Sequence, residues 1–233
     1  MSRILGNSAL PGDRRLLRVQ RPDGAHVGPG HWFRLRLDGG PAFALPVLDQ
    51  SPSEGWLAFC APPEADDYGR GAACALDGPH GTTINSTAGG RRLVLLADET
   101  GLPAAVFAAM HVDIHLVLAG LESDTPAFRL RPSRFLVTGM GPGAIAGVGA
   151  LEDAGVASRI AHPEPLPGCR EGALPALVDD WLTGQSARER WDTAVAVVAT
   201  DATMEALHRR LRGSVGEVHS HPLPGAEGSW GDG

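Results

Sequence analysis

Asp98, Glu99, Thr100 and Gly101 follow the apolar run Arg92–Ala97, and a helical stretch begins directly after them. A continuous apolar run is typical of a strand that is buried on both faces of a parallel sheet. Ligands of such sheets bind at the carboxyl ends of the strands, where a following helix offers N–H groups to phosphate. Thr100 and Gly101 fit such a turn, but two adjacent carboxylates would repel a phosphate. The alternative is that Asp98 and Glu99 cap the helix.

Two further segments could contact a ligand. The turn Gly78-Pro79-His80-Gly81 would let a ligand approach the backbone, with His80 as a hydrogen-bond donor, or it would only reverse the chain. Residues 167–172 follow another predicted strand, so that Arg170 could pair with a phosphate. Cys169 would be nucleophilic if a helix N-terminus lowered its pKa, and the alternative is a buried, inert thiol.

The carboxyl-terminal tail contains Glu217, His219 and His221, whose spacing would suit a metal ion. In a loose terminal segment these residues are more simply interpreted as incidental, and we predict no metal site. The sequence shows no Ser-His-Asp signature and no carboxylate pair that would indicate acid–base catalysis.

Composition excludes several classes of protein. The chain has 233 residues, with 20 basic and 27 acidic side chains and a net charge of −7. All of the basic residues counted are Arg, so Schiff-base and P-loop chemistry that needs Lys is excluded. The basic residues form no patch of the kind that nucleic-acid binding requires.

The three cysteines, Cys60, Cys74 and Cys169, are widely spaced. They form no CxxC motif, predict neither a disulfide framework nor a zinc site, and cannot supply the four thiolates of a usual iron–sulfur cluster. Because no run has the roughly 20 apolar residues of a membrane span and the first 15 residues do not resemble a signal peptide, we expect a cytoplasmic protein.

The first half of the chain is predicted to be β-rich. Short candidate strands, separated by Gly/Pro turns, lie at residues 15–20, 32–37, 43–48 and 55–60, and Trp32–Leu37 alternates apolar and basic residues. Such a succession is typical of a small barrel or sandwich.

The second half alternates strands and helices, which predicts a doubly wound parallel sheet. Strands are expected at residues 92–97, 114–119, 135–138, 156–161 and 194–199, and helices at 102–110, 143–153, 174–182 and 204–211. The expected organisation is a barrel over residues 1–88, an α/β domain over 89–212 and a loose tail over 213–233.

In this order the motifs resemble those of ferredoxin–NADP reductase-like flavoproteins. Residues 29–33, PGHWF, are similar to the Pro-Gly-Gln-Phe strand of the flavin domain, and Gly78-Pro79-His80-Gly81 is similar to its Gly-Pro-Leu-Gly turn. Residues 93–101, LVLLADETG, resemble the strand and Gly-Gly-Thr-Gly turn that open the NAD(P) domain. Residues 167–182 resemble a segment of the dihydroorotate dehydrogenase electron-transfer subunit, the closest type.

The resemblance implies an amino-terminal antiparallel β-barrel, a carboxyl-terminal α/β domain, and binding of FAD or FMN and of NAD(P), without an iron–sulfur cluster. It departs from the family at residues 43–48, which lack the flavin-binding Arg and hydroxyl, and at residues 199–201, which replace Cys-Gly-Pro. An insertion at about residues 111–134 also interrupts the pattern. The cofactor-binding residues expected are His31, Phe33, Leu45, Pro46, Val47, Gly78, Pro79, His80, Gly81, Thr82, Asp98, Glu99, Thr100, Gly101, Cys169 and Arg170.

Three functions are compatible with this layout. The first is an electron-transfer subunit that passes electrons from NAD(P)H through flavin to a protein partner, such as a dehydrogenase or redox subunit. The second is a non-catalytic binding or assembly module that keeps the fold. The third is a siderophore-type ferric reductase, which the stretch Ala-Asp-Glu-Thr-Gly-Leu-Pro at residues 97–103 resembles.

Overall fold

Six antiparallel strands close into a barrel in the amino-terminal part of the chain. The computed structural model describes residues 1–40, 42–87 and 90–224. The strands are β1 (Ser2–Ala9), β2 (Arg15–Gln20), β3 (Trp32–Leu37), β4 (Ala42–Ser51), β5 (Trp56–Ala61) and β6 (Ala73–His80). They pair in the order β1-β2-β5-β4-β3-β6, and β1 closes the ring by pairing with β6. The predicted barrel is confirmed, with β1 and β6 as strands that the sequence reading did not include.

The barrel is filled by one face of each strand, as the alternation in β3 predicts. Phe33 and Leu35 are fully buried, and the ring of Phe33 meets that of Phe59 on β5 edge to face at 6.0 Å. Burial of each such side chain stabilises the fold by about 1.5–3 kcal/mol. A single turn of 3₁₀ helix, Pro63–Ala65, follows β5.

Helices cover both faces of a parallel sheet in the carboxyl-terminal part. The strands are β7 (Arg92–Ala97), β8 (Leu116–Gly120), β11 (Ala157–His162), β12 (Arg170–Glu171), β13 (Thr193–Thr200) and β14 (Glu217–Leu223), in the order β12-β11-β8-β7-β13-β14. The helices are α1 (Leu102–Ala109), α2 (Gly149–Asp153), α3 (Leu174–Gly184), α4 (Ala187–Trp191) and α5 (Asp201–Leu211). The strand order reverses between β7 and β13, which makes their carboxyl ends the expected ligand site.

Helix α1 joins the barrel to the sheet. Its residues from Leu102 to Ala108 are all buried, so the helix has no solvent-facing side. Phe107 lies among the barrel core residues, while Leu48 of β4 belongs to the core between α1 and the sheet. The apolar sequence LPAAVFAA therefore packs into both the barrel core and the core between α1 and the sheet.

Two predicted elements differ from the structure. Residues 135–138 form no strand, and the side chain of Leu136 is fully exposed. The helix predicted over residues 143–153 begins only at Gly149, because β10 (Ala146–Val148) pairs with β9 (Leu130–Pro132) in a small antiparallel sheet. Short apolar runs do not distinguish strands from loops or from the first turn of a helix.

The carboxyl-terminal end also differs from the expected loose tail. Residues 217–223 form the edge strand β14, in parallel register with β13 from Ala194↔Glu217 to Thr200↔Leu223. His221 and Leu223 are buried. The Gly, Pro and His content of this segment gave no indication of this burial. Residues 225–233 and the expected domain boundary at residues 88 and 89 lie outside the described residues.

The described part of the chain contains neither a membrane-spanning helix nor a cluster of metal-binding side chains. None of its helices has the length and apolar character needed to cross a membrane. Within the same residues no three His, Cys, Asp or Glu side chains form a group that could hold a metal ion. Of Glu217, His219 and His221, His219 pairs with Glu217 at 3.2 Å, while His221 contacts Thr82 in the segment after β6.

Candidate functional site

A cleft of about 470 Å³ lies between strand β4 of the barrel and the carboxyl edge of the parallel sheet. Its volume falls within the range of small-molecule sites. The barrel side is formed by β4 and the segment after β5, and the sheet side by the segments that follow β7 and β8. The lining residues are Arg14, Ala42, Phe43, Ala44, Leu45, Pro46, Cys60, Pro62, Glu64, Glu99, Thr100, Leu102, Pro103, Leu121, Glu122, Ser123, Pro126, Ala127, Phe128 and Pro224.

Strand β4 presents an open backbone edge to the cleft. Its residues from Ala42 to Pro46 pair with β3, whereas pairing with β5 begins only at Val47. Alternate residues of a strand direct their N–H and C=O groups to the same side. Within the described chain no strand pairs with the second edge of residues 42–46, so backbone groups there are available to a polar ligand.

Asp98 braces the switch point between β7 and β13. One carboxylate oxygen accepts hydrogen bonds from the backbone N–H of Thr200 at 2.7 Å and from its hydroxyl at 2.8 Å. The other oxygen accepts from the N–H of Gly101 at 2.8 Å, at the start of α1. The carboxylate therefore occupies hydrogen-bond donors of Thr200 and Gly101 on both sides of the switch point, which would otherwise be available to a phosphate.

Gly101 is required by the close approach of this turn to β13. A side-chain carbon at this position would lie 1.9 Å from the carbonyl oxygen of Val198. Gly101, which the sequence suggested for a phosphate-binding turn, thus permits the contact between two parts of the chain.

Glu99 ties the same turn to the segment after β8. Its carboxylate accepts from the N–H groups of Glu122 and Ser123 at 2.9 and 3.0 Å, and from the Ser123 hydroxyl at 2.6 Å. Arg14, from the tip of the β1–β2 hairpin, lies 3.9 Å from the same carboxylate. Glu99 is therefore bound by groups of the kind that bind anions.

The cleft is acidic on balance. Arg14 is the only basic side chain among its lining residues in the part of the chain that the structure describes, whereas the same lining includes Glu64, Glu99 and Glu122. A ligand that carries several negative charges meets one cation and three carboxylates. The basic pocket that a ferric chelate would need is not formed by these residues.

The turn at the end of the barrel lies away from the cleft lining. His31 accepts from the N–H of Gly28 through Nδ1 at 3.1 Å, and its Nε2 lies 3.2 Å from the Thr83 hydroxyl. His80 stacks on Trp32 with ring centroids 4.5 Å apart. These histidines are thus engaged within the barrel end.

His221 connects β14 to the segment after β6. Its Nδ1 lies 3.0 Å from the carbonyl oxygen of Thr82, to which it donates. Burial lowers the pKa of His221, so the imidazole is neutral at pH 7. This contact holds β14 against the segment that follows the last strand of the barrel.

Arg170 and Cys169 also lie outside the cleft lining. The Arg170 Nε donates to the Asp180 carboxylate of α3 at 2.9 Å, which directs the guanidinium to a helix rather than to the site. Cys169 packs against the core beside α1, and burial raises the pKa of its thiol. A raised pKa opposes the nucleophile interpretation.

We expect all three cysteines to react slowly with iodoacetamide in the native protein. Burial raises the pKa of each thiol, that of Cys60 to about 11 from 9.0. At pH 7.5 the Cys60 thiolate is then about a hundredfold scarcer than in the unfolded chain. The reaction slows accordingly, because only the thiolate reacts. Peptide mass spectrometry of native and urea-unfolded protein measures the three rates. A native Cys169 that reacts as fast as in urea would restore it as a candidate nucleophile.

The cleft brings together only part of the predicted set. Leu45, Pro46, Glu99 and Thr100 line it, and Asp98 and Gly101 lie directly behind it. The predicted residues that do not line it are His31, Phe33, Val47, Gly78, Pro79, His80, Gly81, Thr82, Cys169 and Arg170.

Sequence reasoning missed Arg14 and the segment after β8. That segment could have been found, because residues 120–123 follow a predicted strand whose carboxyl end must lie beside that of β7. Arg14 gave no comparable signal, since its place in the cleft depends on how the β1–β2 hairpin docks.

The fold is the two-domain architecture of the ferredoxin–NADP reductase-like kind. The chain is similar to the ferredoxin reductase of carbazole 1,9a-dioxygenase (17% identity, TM-score 0.70, covering 95% of this chain and 68% of that one). It is also similar to an Amycolatopsis cytochrome P450 reductase (15%, 0.68, 97% and 70%). A third similar structure is the cytochrome b5 reductase domain of Ulva prolifera nitrate reductase (12%, 0.62, 94% and 96%). These identities show the fold alone, and the sequence matches no protein-family model and no curated protein.

Proposed function

We propose that this protein is a reductase-type electron-transfer subunit that uses a flavin and NAD(P)H and passes electrons to a protein partner. The observation that carries the proposal is the cleft, which joins the open edge of β4 to the switch-point turn of the parallel sheet. A nicotinamide bound above that turn and a flavin bound along β4 would share one cavity. The resemblance to the dihydroorotate dehydrogenase electron-transfer subunit makes a dehydrogenase or redox subunit the partner that we propose.

The ring system of a flavin fits the residues of the cleft. An isoalloxazine ring has an apolar face and a polar edge, and the cleft offers Leu45 and Pro46 beside free backbone groups of β4. A bound flavin supplies hydride acceptance and electron release. The chain's own residues would orient the ring and exclude water from one of its faces.

The phosphates of FAD fit less well. A diphosphate needs cationic or N–H partners, and the guanidinium of Arg14 already faces Glu99. Phe43, Leu45 and Pro46 on β4 offer no charge to it. The proposal therefore rests on recognition of the ring and not of the diphosphate.

The absorbance spectrum of the purified protein tests this function. We expect flavin bands in the purified protein or after incubation with riboflavin, FMN or FAD and gel filtration. A Trp at Ala44 would fill the cleft, so A44W should weaken flavin binding at least tenfold, whereas L136W, on an exposed surface outside the cleft, should not. A colourless protein that takes up none of the three flavins would contradict the proposal.

A second candidate is a binding or assembly module that keeps the fold without catalysis. The carboxylates of Asp98 and Glu99 favour it, because they occupy donors at the point where a reductase would hold its nucleotide. This candidate predicts no oxidation of NADH or NADPH with any acceptor, even with added flavin. Measurable diaphorase activity would exclude it.

A further inference from the structure

Four groups converge on the Glu99 carboxylate from two other segments of the chain. One oxygen accepts from the N–H groups of Glu122 and Ser123, at 2.9 and 3.0 Å. The other accepts from the Ser123 hydroxyl at 2.6 Å and lies 3.9 Å from the Arg14 guanidinium. We call these groups of Arg14, Glu122 and Ser123 the anion cradle.

The anion cradle has the composition of a phosphate site. Successive backbone N–H groups, a hydroxyl and a guanidinium are the partners that proteins use for phosphate oxygens. The cradle opens on the cleft, because Arg14, Glu99, Glu122 and Ser123 all line it. Its occupant in this chain is a side chain of the protein itself.

We infer that Glu99 determines ligand specificity by occupying a phosphate-binding cradle and so excluding the diphosphate of a nucleotide. The exclusion has two causes. First, a diphosphate must displace the Glu99 carboxylate, which competes from within the chain at an effective concentration on the order of millimolar. Second, the displaced carboxylate remains close to the diphosphate and repels it.

The inference refines the proposed function, on which it rests for the identity of the ring-bearing ligand. If the cradle is closed to phosphate, the wild-type cleft prefers a flavin with no phosphate in this position. Riboflavin should then bind at least as tightly as FAD, and Glu99→Ala should reverse that order.

Isothermal titration with inorganic pyrophosphate and with ADP tests the cradle directly, without flavin. We expect Glu99→Ala to lower the dissociation constant for pyrophosphate at least tenfold at low ionic strength. Glu122→Gln is the matched control, since it removes the same charge from the same cleft but leaves the cradle occupied. It should change the dissociation constant by no more than about threefold, as expected for an exposed charge.

Two further variants keep the inference falsifiable if Glu99→Ala does not fold. Glu99→Gln retains an acceptor for the N–H groups but loses the charge, and it should bind pyrophosphate about threefold more tightly than the wild type. Adding Arg14→Gln to either Glu99 variant should cancel the gain, because it removes the cation of the cradle.

Equal gains for Glu99→Ala and Glu122→Gln would overturn the inference, because the effect would then be the general charge of the cleft. Unchanged pyrophosphate binding in every folded Glu99 variant would overturn it as well. Failure of the proposed function has a different signature. In that case no flavin binds, while the pyrophosphate affinities of the variants still differ as expected.

Discussion

Replacement of Asp98 by Ala is expected to lower the free energy of unfolding by at least about 3 kcal/mol. The carboxylate accepts three hydrogen bonds, at 2.7, 2.8 and 2.8 Å, from Thr200 and Gly101. Each hydrogen bond to a charged group contributes about 1.5–3 kcal/mol, and unpaired N–H groups add a desolvation cost. Because the donors belong to two sides of the switch point, the loss should separate β13 from the start of α1. Asp98→Asn, which keeps one acceptor oxygen, should lose less.

Urea denaturation followed by circular dichroism measures this effect, with Asp201→Ala as the control. Asp201 is also acidic and lies close by, at the start of α5, but its side chain is exposed. Its loss should cost less than about 1 kcal/mol, mainly through the helix dipole. If the two variants lost the same stability, Asp98 would not be a brace and its carboxylate would be free for another role.

The role of Asp98 marks the limit of what the sequence shows at this turn. That two carboxylates would repel a phosphate, or would cap α1, follows from residue types alone. The partner Thr200 lies 102 residues away, and only the return of β13 beside β7 brings it within 2.7 Å. The sheet order that creates this contact is not encoded in any local pattern.

The fold was predictable where its pattern is regular. Strand β3 alternates and β7 is continuously apolar, and both are confirmed with the predicted bounds. Strand β14 was not predicted, because an edge strand needs few apolar residues and its sequence, EVHSHPL, has the composition of a loop. The prediction for the region between β8 and α2 was wrong, because loops and short strands replace the usual strand–helix spacing there.

The candidate site was predictable only in part: Leu45 and Pro46 on its barrel side and Glu99 and Thr100 on its sheet side were expected and line the cleft. The rule that ligands bind at the carboxyl ends of parallel strands located Glu99 and Thr100. Arg14, the single cation of the cleft lining in the described residues, enters from a hairpin whose docking depends on tertiary contacts. The electrostatic character of the cleft could therefore not be predicted from the sequence.

The docking of that hairpin leads to the second large prediction. Gly12 lies at the tip of the β1–β2 hairpin with φ +67°, and the next residue, Asp13, also has a positive φ of 55°. A side-chain carbon at Gly12 would lie 1.9 Å from the backbone carbonyl oxygen of Thr125, in the segment that borders the cleft. We expect Gly12→Ala to lower the free energy of unfolding by about 3 kcal/mol, or to lift the hairpin and Arg14 from the cleft.

Gly55→Ala separates the two costs of this substitution. Gly55 lies in the β4–β5 hairpin with φ +71°, and a side-chain carbon there would have no atom within 4 Å. It should therefore show only the conformational cost of a left-handed residue, about 1 kcal/mol. The difference between the two variants, about 2 kcal/mol by chemical denaturation, measures the contact between hairpin and sheet domain. If Gly12→Ala lifts the hairpin instead, stability falls less, and hydrogen exchange should increase at residues 7–17 and 123–128. Equal stability and equal exchange in both variants would mean that the hairpin does not hold Arg14 at the cleft, which the proposed anion cradle requires.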